Sequence, residues 1–293
     1  NGETNYVLSA KKDEIVRFYV TNAANTRPFN FAIEGLKLKR VGADGGAYER
    51  DQWIDSVTLG PSERVIVEVL FENSGTFAIQ NKTPNKTYTL GSVVISESPV
   101  DISYARQFTQ LKIHQKTIRD VDSLRTQFGK VPDKQITLSI TMMGGGMGDH
   151  MHGGMMGGAG SDGIEWEDTN VMMNQMATVG STFWKIIDQD TSRENMGIDW
   201  VFPRGEPIKI RIFNDPNSRH PMQHPIHFHG QRFLVLERNG VKENNFVWKD
   251  TVFIPSGETV DILLEASNPG AWMAHCHIAE HLEAGMMMKF RVL

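Results

Sequence analysis

The chain carries one strand pattern twice. Residues 14–22 read EIVRFYVTN and residues 206–214 read EPIKIRIFN; RPFNFAIEG from Arg27 lines up with HPIHFHGQR from His224. DQWIDSVTLGPSE ending at Glu63 resembles FVWKDTVFIPSGE ending at Glu258, and twelve residues later a glycine opens GTFAIQNK (Gly75) or GAWMAHCH (Gly270). Within these segments apolar and polar side chains alternate, as with Ile208, Ile210 and Ile212 against Lys209 and Arg211, the mark of strands with one buried face. Two copies of one all-β sandwich are the simplest account, over roughly 1–100 and 134–293, with 101–133 as a linker containing Pro132. The length of 293 residues, about twice a usual domain, agrees. Helices are expected only over Val121–Phe128 and briefly over Ile278–Leu282.

The copies differ in the residues that could carry chemistry. Where the second has His224, His227, His229, His275, Cys276 and His277, the first has Arg27, Asn30, Ala32, Gln80, Asn81 and Lys82, and no histidine precedes His114. Alternate side chains of an extended strand share a face. In HPIHFHG, His227 and His229 therefore point together and His224 points away; in HCHIAEHLEAGMM, His275 and His277 share a face opposite Cys276. His281 and Met286 follow the cysteine at spacings of five and ten. One set is then Cys276, His224, His281 and Met286, a thiolate, two imidazoles and a thioether, which is the donor list of a blue-copper electron-transfer site. The other is four imidazoles, His227, His229, His275 and His277, suited to Cu(II) and dioxygen. A histidine cluster alone would point to zinc, but one thiolate with a thioether is not a usual zinc set. Met287 and Met288 read as strand or core residues.

Composition narrows the remaining classes. A net charge of −5 with no basic stretch argues against nucleic acid as a partner, and no apolar run is long enough to span a bilayer. The single cysteine cannot form an internal disulfide. Residue 1 is Asn without a charged-then-apolar leader, which suggests a processed or truncated product. Six of the 15 methionines fall in the insert at 142–158, MMGGGMGDHMHGGMMGG, whose composition cannot build a packed core. Thioethers favour Cu(I), so Met142, Met143 and Met147 with Asp149 read as a copper-recruiting segment; the alternative is a flexible glycine-rich insertion with incidental methionines.

HPIHFHG and HCHIAEHLEAGMM resemble the two C-terminal copper motifs of the multicopper oxidases, the family of laccases, bilirubin oxidases and bacterial cuprous oxidases. The resemblance covers nearly the whole chain. It implies two Greek-key β-sandwich cupredoxin-like domains, 1–100 resembling the family's copper-free second domain and 134–293 its third. It implies further that His224, Cys276, His281 and Met286 hold a type 1 copper, that His227 serves the type 2 copper and that His229, His275 and His277 serve the type 3 pair. Oxidation of a donor at the type 1 copper would be coupled through Cys276 to reduction of O2 to water. Glu280 matches an acidic position that the family associates with proton delivery, and Met222 resembles the substrate-side methionine of the cuprous oxidases, although His220 stands where those carry an acid. An extracytoplasmic location, periplasmic or secreted, is implied as well.

The family's trinuclear cluster takes eight histidines, four of them from a first cupredoxin domain. Nothing before His114 can supply these, and the HMH at 150–152 is one pair where two are needed. The expectation is therefore a missing N-terminal cupredoxin domain, and the same lack argues against a trimeric two-domain laccase. The reductant is expected to be Cu(I) or a small phenol or aromatic amine. The alternative is a mononuclear blue-copper electron-transfer or copper-binding module without oxidase turnover.

Overall fold

The computed structural model describes residues 2–142, 162–168, 171–176, 178 and 180–293. Each copy of the repeat folds as a pair of sheets. In the first, one sheet runs in the order Tyr6–Lys12, Thr87–Pro99, Gly75–Lys82, Phe29–Ile33, Val57–Leu59, and the other Glu14–Thr21, Arg64–Phe71, Leu38–Ala43, Gly46–Ile54. In the second, the orders are Thr182–Asp188, Lys134–Met142, Pro207–Asn214, Thr259–Glu265, Arg232–Arg238, Val241–Lys242 and Asp199–Phe202, Met287–Val292, Gly270–Cys276, His224–Phe228, Thr251–Ile254. Alternation places one face of each strand inside. Val65, Val67, Val69 and Phe71 close the first core, and Ile208, Ile210 and Ile212 belong to the second. These are the β-sandwich domains expected from the repeat.

The copies share a polar clasp as well as an apolar pattern. Asn22, fully buried, donates from Nδ2 to the carbonyls of Arg27 and Leu59, both at 2.9 Å. At the matching place Asn214 donates to the carbonyls of Met222 (2.8 Å) and Ile254 (3.1 Å). The backbone N–H of each asparagine also donates to a matching carbonyl, Glu63 in one copy and Glu258 in the other. Two loops and a strand are thus tied to one buried amide, an arrangement whose loss would leave carbonyls unsatisfied.

The segment between the copies packs against both. Its helix lies at Gln115–Asp122, followed by a 3-10 turn at Arg125–Gln127, in place of the single helix expected over Val121–Phe128. Val121, Leu124 and Phe128 join Leu234, Leu236, Phe246, Trp248 and Leu263 in a separate apolar cluster. The apolar spacing runs through both elements and so does not mark the break between them. Arg125 meets Glu49 of the first domain, and toward the second domain Lys130 donates to Pro207 O while Lys209 donates to Phe128 O. The short helix expected over Ile278–Leu282 lies at Ala279–Glu283.

Contacts between the domains are close and charged. Arg64 forks onto Asp250 with bonds of 2.7 and 2.6 Å, and Lys249 lies 2.8 Å from Asp44 and 3.2 Å from Glu63. A Cβ on Gly60 would fall 2.3 Å from the Phe253 ring, so only glycine permits this approach.

Candidate metal centre

Two strands of the second domain, His224–Phe228 and Gly270–Cys276, lie antiparallel with Ile226 opposite Cys276 and His227 opposite His275. This register brings HPIHFHG and HCH side by side. After Cys276 the chain turns through Ala279–Glu283 and returns at Met287–Val292. The turn is held at its neck, because Cys276 N–H donates to Met286 O (3.1 Å) and Met286 N–H to His281 O (2.9 Å).

On the inner face, the Sγ of Cys276 lies 3.6 Å from Nδ1 of His224 and 3.5 Å from Nδ1 of His281, and the two Nδ1 atoms are 3.1 Å apart. All three residues are buried, and their donor atoms lie within 4.8 Å of one another. Met286 is fully buried in the same core. Burial pushes His224 down to about 3 and His281 well below the ordinary histidine range, so both rings are neutral at neutral pH. Burial also drives the Cys276 thiol upward, so that a thiolate here calls for a cation, while the Ile278 N–H, 3.5 Å from Sγ, favours it. Neutral imidazole nitrogens and a sulfur converging on one point, dry and without an acidic oxygen among them, fit copper by donor chemistry.

The opposite face gathers His227, His229, His275 and His277. Ring centroids are 4.8 Å apart for His227 and His229, 5.0 Å for His229 and His275, 5.2 Å for His275 and His277, and 5.4 Å for His227 and His277. The Nε2 atoms of His229 and His275 approach to 2.9 Å. Burial and the neighbouring imidazoles lower the pKa of His229, His275 and His277, keeping these rings neutral too. Each of three rings uses Nδ1 for a bond to protein, which orients the other nitrogen. His227 Nδ1 faces Asp250 O (2.8 Å) and Thr251 Oγ1 (3.1 Å), His275 Nδ1 faces Cys276 O (2.8 Å), and His277 Nδ1 faces Ser62 Oγ of the first domain (3.0 Å). The Cys276 carbonyl thereby joins the inner cluster to the outer one within a single residue.

The other residues singled out in the sequence lie as follows. Glu280 is exposed, and both of its oxygens accept from Asn25 Nδ2 at 2.7 Å. Met222 is buried in the second core, and His220 is buried with its ring 6.0 Å from that of Trp184. Met142 ends its strand, partly buried against the same core. Met143, Met147 and Asp149 lie outside the described residues.

Several neighbours of the site carry no motif. Arg64 and Ser62 come from the first domain, and Trp184 from the strand Thr182–Asp188. Asp250 and Thr251 occupy places where the first copy has Asp55 and Ser56, so they looked like parts of the shared frame. Nothing in this stretch of the sequence marks them as neighbours of the histidines.

Comparison with known proteins gives consistent results. Two family models, each described as multicopper oxidase, match residues 1–98 and 165–293. The chain is 35% identical over 105 residues to an iron transport multicopper oxidase of Schizosaccharomyces pombe, covering 31% of this chain and 16% of that protein. It is 30% identical over 137 residues to laccase-4 of Trametes villosa, covering 43% and 26%. A multicopper oxidase of Campylobacter jejuni described as a metallo-oxidase superposes with TM-score 0.63 at 23% identity, over 98% of this chain and 54% of that one. A laccase of Pediococcus acidilactici gives TM-score 0.64 at 22% identity, over 100% and 53%. The chain spans about half the length of these solved structures, and its matches cover about a quarter or less of the curated relatives.

Proposed function

Because this chain belongs to the multicopper oxidase family, we propose that it holds the donor-oxidising copper and half of the oxygen-reducing ligand set of a copper oxidase. The observation that carries this is the back-to-back arrangement of His224, Cys276 and His281 against His227, His229, His275 and His277. When bound, copper supplies one-electron chemistry in which a reductant is oxidised and O2 is reduced to water. The residues do the rest. Cys276, His224 and His281 form a dry type 1 site completed by Met286, and burial there keeps both rings neutral and ready to ligate. His227 serves a type 2 copper, and His229, His275 and His277 a type 3 pair, with His227, His275 and His277 each held by Nδ1.

His227, His229 and His277 are only partly buried, which suits a face that meets four further imidazoles of another cupredoxin domain. That domain is the partner proposed. Glu280, exposed beside His281, is the proposed proton carrier, with Asn25 setting its direction. The reductant is Cu(I) or a small phenol or amine, with Met222, two residues before His224, as the substrate-side methionine. A periplasmic or secreted location accords with a laccase-like role.

A second reading has its own support. Among the described residues, His224, Cys276 and His281 alone bring three such donor atoms within 4.8 Å of each other, as a mononuclear blue-copper module would. Copper content and O2 uptake of the copper-loaded chain, alone and with a histidine-bearing cupredoxin domain supplied, separate the two. Uptake that depends on the added domain supports the oxidase. A blue protein that consumes no O2 in either case supports the module.

A further inference from the structure

We propose that Trp184 is a positioning residue that sets the reduction potential of the inner copper by stacking on His281, an inference that rests on His281 being a ligand. The indole lies on the imidazole with centroids 3.7 Å apart and planes at 24°, and it meets His224 edge-on at 5.2 Å. Trp184 is buried, so the stack is dry on its outer side. It touches both histidines of the cluster from outside the ligand set.

The backbone fixes this contact. Trp184 N–H donates to Ala284 O (3.0 Å) within the turn that connects His281 to Met286. Trp184 O accepts from Asn195 Nδ2 (2.9 Å), and Asn195 Oδ1 accepts from Ile186 N–H (2.7 Å), so one amide clamps both sides of the tryptophan. Gly285, at φ +107°, passes so close that a Cβ there would lie 3.0 Å from Asn195 Nδ2. The strand Thr182–Asp188 is thus bolted to the turn carrying His281, which fixes the Trp184 backbone beside that ring, and burial of the indole in the core holds it there.

The electrostatic consequence has a sign. An aromatic face is negative and attracts a positive partner. An imidazole on Cu(II) carries more positive charge than the same ring on Cu(I), so the stack favours the oxidised metal and lowers the potential. Removing the indole should raise it. Water entering the space left behind would act the other way, by stabilising Cu(II), which makes the sign diagnostic.

The experiment compares the copper-loaded chain with Trp184→Phe and Trp184→Leu by redox titration of the visible thiolate band. The band itself reports whether the site has formed. A potential that rises from tryptophan to phenylalanine to leucine, with the band retained, supports the proposal. An unchanged or lowered potential in a blue variant overturns it. Absence of a blue site in the unaltered chain would instead refute the inner copper site on which the proposal rests. If the leucine variant fails to fold, the phenylalanine variant still decides.

Discussion

The hydroxyl of Ser62 lies 3.0 Å from Nδ1 of His277, so a side chain of the domain without ligand histidines holds one ring of the four-histidine face. Ser62 sits in a turn at φ 67°, two residues after Gly60, which packs on Phe253. The first domain therefore shapes the site it has no ligands for.

Ser62→Ala should leave the visible band of the inner copper unchanged, because Cys276 and its partners are untouched. It should weaken metal retention on the four-histidine face, with a loss of about 1 kcal/mol as for one hydrogen bond. Competition with a chelator, followed by metal analysis, measures this. Equal weakening at both sites would contradict it.

Asp250 gives the same interface a pH dependence. Burial opposes its ionisation, but bonds from Arg64, His227 and Thr251 outweigh this and hold its pKa well below the usual carboxylate range. Its folded pKa is depressed, so its stabilising effect is present above about pH 4 and is lost as pH falls toward the folded value. Asp250→Asn should be less stable than the native chain near neutrality, and the difference should shrink on acidification. Urea midpoints at about pH 7 and about pH 3 test this.

Lys249 closes a buried triad with Asp44 and Glu63. Burial disfavours its charge, yet the two carboxylates outweigh that and raise its pKa above the ordinary lysine value. This contribution is present below about pH 10 and is lost as pH rises through the folded pKa. Lys249→Met leaves Glu63 without its cation and Asp44 with Arg64 alone, 3.6 Å away, and should cost about 3 kcal/mol. Adding Asp44→Asn should recover part of the loss in the same denaturation assay, and no recovery would show that the triad is not the cause.

Gly60→Ala should destabilise the chain by about 1–3 kcal/mol, since its methyl would enter the Phe253 ring. Adding Phe253→Ala, which removes the two nearest atoms, Cδ2 and Cγ, should make the cost of the added methyl smaller than it is in the native background, and an equal cost in both backgrounds would point to loop strain in place of domain contact.

The repeat, both sandwich cores and the division of the histidines into two faces were legible because each depends on local alternation. Period two dictates that His275 and His277 oppose Cys276 whatever the tertiary setting. The helix in the connecting segment was misplaced because Val121, Leu124 and Phe128 keep helical spacing across two separate elements. Ser62, Arg64 and Trp184 could not be found from the sequence, since no local pattern ties residue 62 to 277 or residue 184 to 281. Asp250 was hidden differently. Its counterpart Asp55 stands in the same frame, exposed, with Lys37 3.9 Å away, so the shared letter concealed a change of role.

The most direct test of the whole account is titration of the purified chain with copper, followed by visible absorption and electron paramagnetic resonance, with Cys276→Ser as the control. The account predicts an intense blue band that saturates in step with Cys276 and disappears in the serine variant, whose thermal unfolding remains cooperative. Copper bound without that band, or a serine variant that stays blue, would contradict it.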